Sequence, residues 1–353
     1  MIFYIFLTFL LSFFTSIFLI RLAYRYPFLI KETLHSGPQK LHQRPTPRLG
    51  GIALFTAFTG ALILGILRKE RYLHDFILLY FSVIPCFLGG LLEDITAKVG
   101  VKGRLFFTLI SASLVYYFLN ACLFKIDIPF VDHLLKYPLI SFIFTIFAIT
   151  GVTNAFNIID GLNGLASMVS VIILLSLSFV SYKVGDYFLT TLQLALIGAL
   201  IGFFLLNYPA GLIFLGDGGA YLVGFLIGTF SVILVNRHPE VSPWFPFLVC
   251  IYPVFETLFT MFRRKIIHKR SMSSPDTLHL HSIIFKKLTI KLLGPAADIS
   301  LRNATTSPFL WAFTMLSIIP AIIFWQDTSK LIISSIAFIF LYLFLYLKLI
   351  FHS

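Results

Sequence analysis

Apolar stretches long enough to cross a lipid bilayer recur from one end of this chain to the other, and no other feature constrains its fold as strongly. A helix covers the hydrocarbon core with about 17 to 25 such residues, and windows of that length fall at about 2–20, 49–67, 76–92, 105–122, 137–153, 164–182, 187–206, 219–235, 244–262, 309–325 and 331–351. The strict alternation of a barrel strand is absent, so helices must satisfy the backbone in lipid. Composition agrees: of 353 residues, 58% are hydrophobic and 12% charged, with a mean hydropathy of +0.94. The expected fold is all-α, a polytopic transmembrane helical bundle of about 11 spans forming one integral-membrane domain over residues 1–353.

Charge placement gives the sidedness. No Lys or Arg precedes the first span and no small-residue cleavage site follows it, so it reads as a retained anchor. Arg21, Arg25 and Lys31 follow it, which sets the N-terminus outside, the next loop in the cytoplasm and, by alternation, the C-terminus inside. Most of the 27 Lys and Arg residues then lie inside, Arg68, Lys69 and Arg71 being the main exception. A net charge of +12 gathered on one membrane face points to anionic lipid headgroups and phosphorylated substrates, and away from nucleic acid. Cys86, Cys122 and Cys250 all fall within spans, which argues against a disulfide framework.

Once the spans are drawn, the unusual polar residues share one side, in inner loops at 23–50, 93–104, 154–163, 207–219 and 263–308. The first carries Lys40 and the run Pro45-Thr46-Pro47-Arg48-Leu49-Gly50-Gly51; the second carries Glu93, Asp94, Lys102 and Arg104. The third holds Asn157 and Asp160 in Asn-Ile-Ile-Asp-Gly-Leu-Asn-Gly, the fourth holds Asp217 among glycines, and the fifth holds His279-Leu280-His281. An acid at the mouth of an apolar helix is costly in lipid, and flanking glycines let an anionic ligand or a hydrated metal approach the backbone.

Each cluster also has a plainer reading. The Pro-Thr-Pro run is a turn that starts a helix, Asn157 and Asp160 are helix caps, Glu93 and Asp94 are interfacial carboxylates, and His-x-His is a surface pair. Asp127, Asp132 and His133 lie on the outer side and take the plain reading. Convergence of five inner loops raises the functional one. Carboxylates, an amide, cations and imidazoles at a membrane surface suit phosphoryl transfer with a hard divalent ion, Mg²⁺ or alternatively Mn²⁺.

Taken together, the Pro-Thr-Pro-Arg-Leu-Gly-Gly run, Asn-x-x-Asp-Gly-Leu-Asn-Gly, Phe-Leu-Gly-Asp-Gly-Gly and His-Leu-His resemble the polyprenyl-phosphate N-acetylhexosamine-1-phosphate transferases, glycosyltransferase family 4. Eleven spans look more like the branch containing WecA, TagO and WbpL than the ten-span MraY branch. The resemblance implies a bacterial inner (cytoplasmic) membrane enzyme with its active site facing the cytoplasm. It would move the sugar 1-phosphate of a UDP-N-acetylhexosamine onto undecaprenyl phosphate, releasing UMP and priming a cell-surface polysaccharide such as O-antigen. By the same resemblance Asp217, with Asn157, matches the metal site; Asp94, Glu93 and Asp160 match the catalytic acids; and His279 and His281 match the grip on the donor pyrophosphate. Lys40, Arg48, Lys102 and Arg104 are candidates for holding phosphates. A homodimer is compatible with the sequence.

The chain departs from the family pattern at three places: Glu93-Asp94 replaces a paired Asp-Asp, Ser282 stands where a third His is common, and Thr277 where Arg is frequent. These variants look like those of transferases for modified N-acetylhexosamines. Glu256, inside the ninth span, resembles an acid of relatives and reads equally as a packing residue. The alternatives carried forward are an MraY-type phospho-MurNAc-pentapeptide transferase and, from another class, a membrane transporter.

Overall fold

The computed structural model describes residues 1–26, 46–267, 278–294 and 297–351. Lys40 and Thr277 lie outside the described residues. In chain order the helices are α1 (Ile2–Arg25), α2 (Gly50–Leu67), α3 (Leu73–Thr96), α4 (Gly100–Leu119), α5 (Pro129–Leu135), α6 (Pro138–Ile159), α7 (Leu165–Lys183), α8 (Tyr187–Asn207), α9 (Gly216–Arg237), α10 (Trp244–Val249), α11 (Ile251–Phe262), α12 (Leu280–Ile283), α13 (Thr289–Leu293), α14 (Ile299–Ile323) and α15 (Thr328–Phe351). Short π-helical turns at Arg263–Ile267 and Ile284–Leu288 adjoin α11 and α12.

Local chemistry sets many of these ends. Pro129 and Pro138 open α5 and α6, where a missing N–H costs nothing. The Asp186 carboxylate caps α8 by accepting the Leu189 amide at 2.9 Å. Pro253 cannot donate to the carbonyl one turn earlier, and the expected ninth span breaks at Cys250 into α10 and α11.

Among the described residues, nine helices are long and apolar enough to cross a membrane: α1, α2, α3, α6, α7, α8, α9, α14 and α15. The protein is thus an all-helical, multi-pass membrane protein. The two other expected segments are helical too, α4 with Lys102 and Arg104 in its opening turns and the broken α10–α11 pair, but neither meets that measure. Helices overrun the expected spans at the polar end: α3 continues through Glu93 and Asp94, and α9 begins before Asp217. Polar side chains satisfied by neighbouring helices allow helix to persist where hydropathy alone would end it.

The centre of the bundle is α9, 94% of whose apolar window is buried, against 28% for α1 and for α15 at the periphery. It packs on α2, α3, α6 and α7. Close approach needs glycine: a Cβ on Gly51 would lie 2.4 Å from the Gly219 nitrogen, and one on Gly90 would lie 2.6 Å from the Asp217 carbonyl oxygen. These contacts bring the ends of α2, α3 and α9 together at one pole. At the opposite pole Arg237 pairs with Asp75 at 2.8 Å, and Asp132 accepts the Ile126 amide at 2.7 Å, a structural role as expected. The three cysteines are free and buried.

Candidate active site

The Pro47–Gly51 segment is tied to the glycine-rich turn before α9. Phe214 donates its amide to the Pro47 carbonyl at 2.9 Å, Gly50 donates to Phe214 at 2.9 Å, and Gly51 donates to Leu215 at 2.9 Å. The motif therefore starts α2 and also fixes the turn that presents Asp217. Gly216 takes φ +75, a left-handed conformation that favours glycine, and a Cβ there would meet an Asp94 oxygen at 2.7 Å.

Asp217 lies in the first turn of α9, where unpaired amides favour a carboxylate. Three helices supply its surroundings. Arg104 of α4 forms an ion pair with Oδ2, and its guanidinium lies 5.5 Å from the Tyr221 ring centroid. Asn157 of α6 donates its amide to Oδ1 at 2.6 Å. Asp94 of α3 caps the same helix start, Oδ1 accepting the Asp217 amide at 2.9 Å and Oδ2 the Gly218 amide at 2.8 Å. Glu93 caps α4 instead, its Oε2 accepting the Val99 amide at 2.8 Å and the Gly100 amide at 2.9 Å. The adjacent acids thus serve two different helix starts, which a linear reading does not separate.

Asn157 lies in the last turn of α6, Asp160 follows the helix end at Ile159, and neither caps the following helix; that place belongs to Gly164. Withdrawal from water pushes the Asp160 carboxyl up to about 7, against the pull of Arg48 and with a further push from Asp217. Its loop is held by a buried network that sequence reasoning missed. The Asn303 oxygen accepts the Asn163 amide at 2.8 Å, the Asn207 oxygen accepts the Gly164 amide at 2.6 Å, Ser307 donates to the Asn163 carbonyl at 2.6 Å, and Trp311 to that of Gly164 at 3.1 Å. The available signal was polar Asn303 and Ser307 one turn apart in an apolar helix.

His279 and His281 are buried and their rings stack, with centroids 5.2 Å apart and planes 4° apart. They reach the Asp160 loop, since a Cβ on Gly161 would lie 2.8 Å from His281 Nε2. His279 Nδ1 lies 3.1 Å from Glu256 Oε1. Arg48 and Lys102 are exposed at this same pole. Of the site residues expected from sequence, Asp217, Asn157, Asp94 and Arg104 form one hydrogen-bonded group, Asp160 adjoins it, and the histidines back onto the Asp160 loop.

A bundle of membrane-length helices with acids, an amide, an arginine and imidazoles gathered at one pole defines a multi-pass membrane protein with a polar site at one end. Residues 76–235 match the family model described as glycosyl transferase family 4. The chain is similar to the Bacillus subtilis (strain 168) protein named "Probable undecaprenyl-phosphate N-acetylglucosaminyl 1-phosphate transferase", 27% identical over 250 residues covering 69% of this chain and 66% of that one. A Thermotoga maritima protein named "Undecaprenyl-phosphate alpha-N-acetylglucosaminyl 1-phosphate transferase" is 31% identical over 90 residues, 26% of this chain and 29% of the relative. A Clostridium botulinum (strain Alaska E43 / Type E3) "Phospho-N-acetylmuramoyl-pentapeptide-transferase" is 32% identical over 207 residues, 56% of this chain and 63% of the relative. The matches span less than two thirds of each of these relatives.

Proposed function

We propose that this protein transfers N-acetylhexosamine 1-phosphate from a UDP-sugar, UDP-N-acetylglucosamine or a modified relative, to undecaprenyl phosphate. UMP leaves, and the lipid-linked sugar pyrophosphate initiates a cell-surface polysaccharide of the O-antigen kind. The observation that carries this reading is the convergence of Asp217, Asn157, Arg104 and Asp94 on the start of α9, beside the Asp160 loop and its histidines. The names of the similar proteins support the acceptor class.

The residues fit a Mg²⁺ site. Asp217 and Asn157 offer hard oxygen atoms, and the Arg104 guanidinium already sits as a cation on the Asp217 carboxylate. Among the described residues, no three His, Cys, Asp or Glu side chains form a cage, and Mg²⁺ is commonly held by one or two carboxylates plus substrate phosphates. When bound, the ion would neutralise charge on the pyrophosphate.

An oxygen of the lipid phosphate attacks the β-phosphorus of the donor. The new P–O bond forms as the bond from that phosphorus to the bridging oxygen breaks, and UMP departs with the bridging oxygen. The lipid phosphate is already an anion, so a protein nucleophile is unnecessary. Arg104 shifts from Asp217 to a phosphate oxygen, Arg48 and Lys102 hold the remaining anionic oxygens, and the His279–His281 pair meets the donor. An apolar cavity of about 300 Å³ between α6, α9, α10 and α11, bounded by residues including Phe144, Val152, Val232, Trp244, Phe247 and Val254, offers lateral room for a polyprenyl chain.

The reading sets this pole in the cytoplasm of a bacterial inner membrane, where the UDP-sugar is found, with the charges that follow the first span as its support. A transporter would set ionisable groups beside broken helices near mid-membrane. Here Asp94, Asp160 and Asp217 gather at helix ends, and Glu256, beyond the break at Cys250, is turned to His279 of the same pole.

The test is transfer of label from UDP-N-acetylglucosamine labelled in its β-phosphate to undecaprenyl phosphate, by purified protein with Mg²⁺, with chelator, and as Asp217→Ala. Metal-dependent labelling lost in the variant supports the reading. Labelling only from the UDP-MurNAc-pentapeptide donor would move the chain to the pentapeptide-transferase class, and none from any donor with folded protein would sink it.

A further inference from the structure

Glu256 is fully buried on α11, at 0% exposure, in a segment otherwise built to face apolar neighbours. A carboxylate in such a place is unfavourable unless every lone pair has a donor. Four groups surround it. Tyr342 of α15 donates its hydroxyl to Oε2 at 2.7 Å, and the Leu280 amide lies 3.2 Å from Oε1 and 3.3 Å from Oε2. His279 Nδ1 lies 3.1 Å from Oε1, with Thr260 Oγ1 at 3.2 Å from the same ring nitrogen and 3.5 Å from Oε1.

The ring chemistry follows from this arrangement. An ionised carboxylate only accepts, so His279 carries its proton on Nδ1. The other nitrogen, Nε2, lies 3.5 Å from a guanidinium nitrogen of Arg264, which only donates. Nε2 therefore keeps its lone pair while Arg264 faces it, and it can donate to a phosphate only once it carries a proton of its own. His281 stacks on His279 and rests against Gly161, so the fixed ring is linked to the Asp160 loop.

We propose that Glu256 is a positioning residue that locks His279 in its Nδ1–H form and aims Nε2 at the donor phosphate, with the last helix bracing the pair through Tyr342. This rests on the transferase reading for the identity of the donor, not for the state of the ring. The brace also gives α15, a peripheral helix with little buried surface, a defined place in the site. Tyr346, one turn on, hydrogen-bonds with Arg263 and donates to the Leu278 carbonyl at 3.2 Å, holding the segment just before His279.

The test combines nitrogen NMR of His279 in full-length protein in lipid nanodiscs with transfer kinetics, using Glu256→Leu, Glu256→Gln, Tyr342→Phe and His279→Ala. We expect Nδ1–H in the wild type and Nε2–H in Glu256→Leu. In Glu256→Gln, whose carbonyl oxygen still accepts, Nδ1–H is retained while kcat/KM for the donor falls about tenfold, the low end of the about 10- to 100-fold seen for partners that orient metal-ligating imidazoles. Tyr342→Phe loses less than that. Combining Glu256→Gln with His279→Ala is no worse than His279→Ala alone, which a merely structural glutamate would not give. An unchanged ring in Glu256→Leu, or losses that multiply in the double variant, overturns the proposal. Should Glu256→Leu fail to fold, the double-variant comparison with Glu256→Gln decides. A ring that switches as expected in a protein that labels no lipid would leave the pair standing and remove the transferase reading.

Discussion

Arg104 and Asp217 form an ion pair where the first turns of α4 and α9 meet, so the acid most suited to a metal is already neutralised by a side chain of the protein. Both are largely shielded, at 12% and 19% side-chain exposure, which keeps the pair from the screening that weakens surface ion pairs. On the proposed reading, a divalent ion arriving at Asp217 would compete with this guanidinium.

Replacing Arg104 with Gln is therefore expected to act in opposite directions on two measurements. Mn²⁺ binding, followed by electron paramagnetic resonance titration without substrate, should tighten by about tenfold, the scale of one charge-assisted hydrogen bond no longer to be broken. Transfer should fall, because the same cation is needed on the phosphate. Weaker Mn²⁺ binding in the variant would show that Arg104 supports the site instead of competing for it.

Asp94→Asn should lower stability as well as activity. Both carboxylate oxygens receive backbone amides at the start of α9, and an amide side chain can accept only one of them. An unsatisfied buried donor costs about 1 to 3 kcal/mol. Thermal unfolding in detergent should report the loss. A variant as stable as the wild type but inactive would restore Asp94 to a purely chemical role.

Gly51→Ala should disrupt the bundle at the crossing of α2 and α9, because its Cβ would lie 2.4 Å from the Gly219 nitrogen. Overpacking of this kind costs about 1 to 3 kcal/mol or more. Gly151→Ala is the control, since a Cβ there meets nothing within 4 Å. Detergent melting curves should separate the two variants; equal curves would mean that the helices part readily.

Metal affinity should depend on pH through Asp160, whose carboxyl is pushed up to about 7 by burial. A proton must leave before a cation gains this charge. The apparent affinity for Mn²⁺ should therefore rise with pH, by up to about tenfold per unit, and flatten above about pH 7. In Asp160→Asn the slope should vanish. A slope that survives the substitution would assign the proton to another group.

The motifs and the one-sided gathering of polar groups were legible in the sequence, but their division of labour was not. Glu93 and Asp94 are neighbours in the chain, yet successive helical side chains point about 100° apart, so one serves α4 and the other α9. Asn163 and Gly164 were visible only as part of a motif, and the side chains that accept their amides, Asn303 and Asn207, come from α14 and α8. Glu256 reads equally as a site acid or a packing residue in the sequence, because the hydroxyl on its second oxygen comes from Tyr342, 86 residues away.

What the sequence determined by itself is the all-helical membrane character, the approximate place of most helices and the set of polar residues that gather at one pole. Hydropathy over a bilayer's thickness and the positions of charges are local properties, and they survive without knowledge of packing. Only the tertiary structure decided that Arg104 faces Asp217, that Asp94 is spent on backbone amides and that Glu256 holds His279. Those pairings join residues 113, 123 and 23 positions apart. They depend on how glycine-lined helices rotate and settle against α9, an energy summed over the whole bundle and carried by no single segment.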